Sequence, residues 1–283
     1  MEELIADPDA ALAALTELMR RLSDILGFGE APIFALMAVF TRVGAAVALL
    51  PGFGERNLPM RIKLAAAIAF TLVVWPAVAA EAEGVGARIE AADAPPVALA
   101  GVLIAEAAAG IVLGLAARLL VMALQLAGAI AAQSTAVAQM AGADVTPDPM
   151  PAIGAILVVA GIALALALGL HVKAAVALVA SYEVAPLGAP LPAADAAAWA
   201  VARADDALGL AVALAAPFAA GSLAYNLALG AMNRAMPQLM VAFVGAPAIT
   251  AGALLLLWAA APAMLARWNA ALDGALAAPF AAP

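Results

Sequence analysis

Apolar runs of about 20 residues, cut by short clusters of proline, glycine and charge, constrain this chain more than any other feature. Some 20 residues at a rise of ~1.5 Å each match the hydrocarbon thickness of a bilayer. The runs are Pro32 to Leu50, Ile62 to Ala80, Val97 to about Ala117, Leu119 to Ala141, Ala152 to Leu170, Ala207 to Met232 and Leu239 to about Ala266. Of the 283 residues 67% are hydrophobic and 11% charged. Soluble domains stand nearer half and a quarter. The chain therefore reads as a polytopic membrane protein, or a subunit buried among equally apolar partners, and not as a soluble enzyme. Its Ala and Leu content favours helix, and no dyad alternation points to strands. The expected fold class is all-α: a polytopic membrane-type protein of helical hairpins with long, partly broken apolar helices.

The breaks define the expected organisation. "PGFGERNLPMR" places Pro51, Gly52, Gly54 and Pro59 in a turn. An acidic, Pro-containing loop is expected from Glu81 to Pro96, and Arg118 is expected to separate the third run from the fourth. "GADVTPDPMP" stops a membrane helix. The fifth run ends at His171 and Lys173, and a Pro/Ala loop carrying Asp195, Asp205 and Asp206 follows a short apolar piece. Arg56, Arg61 and Lys63 in the first turn, against Glu81, Glu83, Glu90 and Asp93 in the next loop, put the first turn in the cytoplasm. Residues 1–30 read as an acidic, amphipathic lead without the basic and apolar regions of a signal peptide. Residues 31–283 read as one apolar helical domain.

Several chemistries are excluded. A net charge of −8 argues against nucleic acid as a partner. The absence of cysteine removes disulfide, thiolate and iron–sulfur chemistry, and a single histidine, His171, cannot build a multi-His metal site. No phosphate-binding loop is present. No cofactor, metal or catalytic residue is expected. What stands out instead is polarity inside apolar runs. Glu106, Gly110, Gly114 and Arg118 recur every four residues, and "GIVLG" is a GxxxG that lets two helix backbones approach. The stripe reads as a packing or subunit contact, or as a charged pathway. Gln125 and Gln133 extend it. Met140, Met150, Met232, Met236 and Met240 flank the two Pro-containing junctions, either as core filling or as a deformable seal. In "MNRAMPQ" the helix is expected to end near Met232–Asn233. Arg234 complements the negative helix end, Pro237 starts the next helix, and Gln238 satisfies freed backbone groups.

Four segments carry a resemblance: "RVGAAVALLPGFGERNLPMRIKLAAAIA", "GIVLGLAARLLVMALQLAGAIAAQ", "MPAIGAILVV" and "NLALGAMNRAMPQLMVAFVGAP". In this order the chain resembles the FliR family of the flagellar type III export gate, and the Asn-Arg-x-x-Pro-Gln corner is the most specific piece. The resemblance implies a subunit of a helical assembly with FliP-type and FliQ-type partners, beside other export-apparatus membrane proteins, around a channel for unfolded exported proteins. It implies a bacterial inner-membrane location in the flagellar basal body. It also implies a plug loop over Gln139 to Met150, with Gln139, Met140, Asp144, Asp148 and Met150 as gating candidates. Asn233, Arg234, Pro237 and Gln238 become subunit-contact candidates. The related subunit of virulence injectisomes is the close alternative. A secondary transporter using Glu106, Arg118 and His171, and a purely structural scaffold, are the readings from other classes. Arg42 and Glu106 are expected to find few partners within one chain, which would leave the isolated subunit unstable.

Overall fold

The structure is a computed structural model that describes Glu17, Arg21 and residues 30–134, 151–235 and 241–280. Seven long helices carry these residues, and no strand occurs among them. They are α1 (Glu30–Leu49), α2 (Met60–Glu90), α3 (Pro95–Ser134), α4 (Ala152–Ala167), α5 (Leu170–Val184), α6 (Ala193–Ala235) and α7 (Val241–Ala277). The all-α fold class is thus what the chain adopts. Of the N-terminal lead Glu17, Arg21 and Glu30 are described; Glu17 and Arg21 are helical and ion-paired at 2.9 Å, and Glu30 opens α1.

One expected break is absent and two are shorter than expected, each for a physical reason. The third and fourth apolar runs are one 40-residue helix, α3, with Arg118 inside it. One arginine, a good helix former, does not end a helix. The acidic segment after Ala80 is helical as far as Glu90. Val78, Ala82, Val85 and Ile89 there are buried at helical spacing while Glu83 and Arg88 face outward, so the 3.6-residue period prevails over the charge content. Asp195, Asp205 and Asp206 lie within α6 and not in a loop. The Ala-rich sequence around them carries the helix through. Conversely, the fifth run breaks between α4 and α5 at Leu168–Gly169, where Gly169 takes a φ of +81°. Only glycine adopts that conformation readily.

The chain divides into two compact units that interleave along the sequence, whereas the sequence reads as a single region over 31–283. The first comprises the chain up to Ala117, His171–Ala200 and Leu276–Ala282. Here α1 and α2 form a hairpin. Its turn is drawn tight by Gly52 at φ +80° and by Gly54, whose N–H donates to the Leu50 carbonyl at 2.8 Å. Lys63 donates to the Gly54 carbonyl at 3.2 Å, and Phe53 meets Phe70 edge-on at 5.3 Å. The Trp199 indole N–H donates to the Pro279 carbonyl at 3.0 Å.

The second unit comprises Arg118–Leu170 and Val201–Ala275. Gly128 of α3 lies directly on Gly154 of α4, backbone against backbone. Gly161 faces Leu124 and the ring of Trp268, and the Trp268 indole N–H donates to the Leu120 carbonyl at 2.7 Å. Ala123, Ala207 and Ala211 form a small-residue core with Leu119 and Leu210 against it. Small residues let helices approach closely where apolar surroundings supply no hydrophobic drive between them.

Many large apolar side chains are exposed. Leu72, Leu227 and Trp258 are 66%, 68% and 80% exposed. Among the described residues five helical segments are long and apolar enough to cross a membrane: α1, α2, α3, Ala193–Met232 and Ala248–Ala277. Hydroxyls within them bond back to their own helix, as Thr71 does to the Ala67 carbonyl at 2.7 Å. The second unit generates one prediction. Gly128→Leu drives a branched side chain into the α4 backbone and should cost about 1–3 kcal/mol, read as a lower melting temperature in detergent. A wild-type melt would show that α3 and α4 are free to separate there.

Candidate functional site

Within the first unit, Arg42 of α1 and Glu106 of α3 are both fully buried. They meet as a two-pronged pair: Arg42 Nε donates to Glu106 Oε2 at 2.7 Å, and Nη2 donates to Oε1 at 2.9 Å. Arg42 Nη1 also donates to Ser181 Oγ of α5 at 3.2 Å, and that hydroxyl donates to the Leu178 carbonyl at 2.6 Å. The guanidinium lies 3.9 Å over the Tyr182 ring, within the range of a cation–π contact. The Tyr182 hydroxyl is itself buried with no hydrogen-bond partner among the described residues.

The sequence Pro186-Leu-Gly-Ala189 supplies the remaining contact. The Ala189 N–H donates to the Pro186 carbonyl at 3.0 Å, and Gly188 has a φ of +79°. This is a turn of the kind that requires glycine at its third position. It leaves two consecutive N–H groups outside its own hydrogen bond, and carboxylates of two helices take them. Leu187 donates to Glu81 Oε1 of α2 at 2.8 Å, and Gly188 donates to Glu106 Oε1 at 2.8 Å. Glu106 therefore accepts from both Arg42 and a backbone amide. The cluster ties α1, α2, α3, α5 and the turn together. A cleft of about 410 Å³ opens beside the turn between Glu81, Val85, Arg88, Val102 and Gly188.

Bonding of this density is what a buried ion pair needs. Removing two charges from water costs several kcal/mol per ion, recovered only with good geometry and further hydrogen bonds. The cluster has both. Both Glu106 oxygens are engaged within it. Among the described residues no group of three or more His, Asp or Glu side chains is placed to hold a metal ion.

Gly110 and Gly114 lie on the same seam. A Cβ on Gly110 would collide with the Arg42 carbonyl, and one on Gly114 would come within 2.7 Å of the Ala46 carbonyl and of Leu49 Cβ. Both glycines thus pack against α1 of their own chain. Arg118 is half-buried, Gln125 is half-buried and Gln133 is exposed. Four residues turn a helix by 400°, so the stripe drifts by about 40° at each step and leaves the buried face. His171 is exposed. Arg234 is exposed in the last turn of α6, which runs on to Ala235, two residues past the expected end. Asn233 lies in that turn, and its side chain is outside the described part. Pro237 and Gln238 lie outside the described residues, as do Gln139, Met140, Asp144, Asp148 and Met150.

The expectation that Arg42 and Glu106 find few partners within one chain is corrected: each is the other's partner. The sequence reading also missed Ser181, Tyr182, Glu81 and Gly188. Their only local signal is the Pro-Leu-Gly-Ala turn. Two predictions follow from the geometry. Arg42→Ala or Glu106→Ala strands one buried charge and should cost about 3–5 kcal/mol, seen as lost protease resistance; a wild-type digestion pattern for both would show the cluster to be solvated. Gly110→Ala should lower the melting temperature, whereas Gly84→Ala, where a Cβ meets nothing within 4 Å, should stabilise by about 0.5–1 kcal/mol through helix propensity. Equal shifts would mean that the α1–α3 seam yields freely.

Comparison with known proteins agrees with this architecture. The family described as "Bacterial export proteins, family 1" matches residues 33–275. That span begins in α1 and ends in α7, and so includes every element of the cluster. The flagellar biosynthetic protein FliR of Caulobacter vibrioides is 30% identical over 216 residues, covering 76% of this chain and 83% of that protein. With the match running through both compact units, the chain belongs to family 1 of the bacterial export proteins, the FliR family.

Proposed function

We propose that this chain is the FliR-type subunit of the flagellar type III export gate, helping to form the channel through which unfolded flagellar proteins leave the cytoplasm. The observation that carries the reading is the match to a flagellar FliR along 83% of that protein's length. The distribution of side chains supports it. The buried Arg42–Glu106 pair is answered within the chain, while many large apolar side chains, Leu72, Leu227 and Trp258 among them, are exposed, as suits a subunit surrounded by lipid or by other apolar helices. FliP-type and FliQ-type subunits are the proposed neighbours, the inner membrane at the flagellar basal body is the proposed location, and no enzymatic step is assigned. A flagellar relative favours the flagellum over the injectisome. The transporter reading loses support from Glu106, whose oxygens are bonded within the chain.

The plug role of Gln139–Met150 and the contact role of the Asn233–Gln238 corner belong to this proposal through the family resemblance. Co-expression with FliP-type and FliQ-type subunits should give a complex of larger mass in detergent, and loss of the gene should abolish motility. A chain that never co-purifies with them and whose loss leaves motility intact would overturn the assignment. Deleting Gly142 to Pro149 should raise ion leakage in cells that still assemble the gate. Unchanged conductance there would remove the plug role alone.

A further inference from the structure

The packing of α1 on α3 repeats itself. A Cβ on Gly110 would meet the Arg42 carbonyl and Ala45 Cβ; a Cβ on Gly114 would meet the Ala46 carbonyl and Leu49 Cβ. Each contact of the second glycine is that of the first, advanced by four residues on both helices. The numbers rise together, so the two helices run parallel. The two glycines restrict the register of the seam only in part. Sliding one helix by a turn, about 5.4 Å, sets Gly114 against the Arg42 carbonyl, or Gly110 against that of Ala46. One notch then receives a glycine again, while the other receives Arg118 or Glu106, whose Cβ it admits only if the helices part. In apolar surroundings the surface a sliding helix uncovers is as well accommodated as the surface it covers, so burial alone does not choose between registers.

The polar cluster does choose. Helical side chains reach back toward the helix N-terminus, and Arg42, whose carbonyl is level with Gly110, reaches back to Glu106. A one-turn slip moves that reach to Val102 or to Gly110, neither of which offers a side-chain acceptor. The pair cannot slide as a unit, because each end is held by a third element. Glu106 is bonded to the Gly188 amide and Arg42 to Ser181. We propose that the Arg42–Glu106 pair is the register lock of the α1–α3 seam, adding directed bonds to the partial restriction set by the two glycine notches. Single buried polar groups set register in this way in coiled coils.

The chain contains no cysteine, so introduced pairs can report register without background. In the full-length chain, expressed with its gate partners, a cysteine replacing Leu49 is combined in turn with one replacing Ala109, Leu113 or Ala117. Disulfide yield along α3 then gives a profile with one maximum in the otherwise wild-type chain. In Arg42→Met/Glu106→Met, which keeps side-chain length and removes the charges, the expected profile gains a second maximum displaced by four residues. A single maximum at the wild-type position would overturn the lock. Should that variant not accumulate, the same profile is taken in Glu106→Gln. There, a displaced second maximum supports the lock and an unshifted single maximum overturns it.

Discussion

A buried guanidinium facing a buried carboxylate governs the first unit of this protein. Neither charge has water available, so every lone pair and proton must be answered from within the chain. That demand draws in Ser181, the Tyr182 ring and the Gly188 amide. Through them it fixes α1, α3, α5 and the turn after α5 relative to one another. Glu81 adds α2 by taking the neighbouring amide of the same turn. A turn that leaves two adjacent N–H groups unbonded is well suited to two carboxylates arriving from different helices.

Close packing and polar pairing serve different ends in this fold. Glycine and alanine set how near helices come, at Gly110 and Gly114 on α1 and at Gly128 on Gly154. Such contacts are permissive, since a small residue admits a neighbour without specifying which turn of it arrives. Directed bonds supply the specification: the Arg42–Glu106 pair in one unit, and the Trp268 indole on the Leu120 carbonyl in the other. Other large apolar side chains, such as Leu72, Leu227 and Trp258, lie on exposed faces.

How much of this was legible in the sequence depended on whether the signal was local. Helical class and the positions of the apolar runs follow from composition and length. The GxxxG of Gly110 and Gly114 was readable as a close-contact seam, though its partner helix was not. Charge misled where it was taken as punctuation. Arg118, the Glu81–Glu90 segment and Asp195 all lie inside helices, because backbone propensity and the 3.6-residue burial period outweigh a few charged side chains that can point outward.

The sequence by itself determined that this chain is helical, apolar and without thiol chemistry of its own, because those properties are sums over residue types and short periodicities. It also marked Arg42 and Glu106 as anomalies in apolar runs. Only the tertiary structure decided that they are one another's partners across 64 positions, and that Ser181 and Gly188 complete them from 139 and 82 positions away. Side-chain pairing over such separations leaves no periodic trace. It is set by which helix faces are brought together, and that choice belongs to the packed fold.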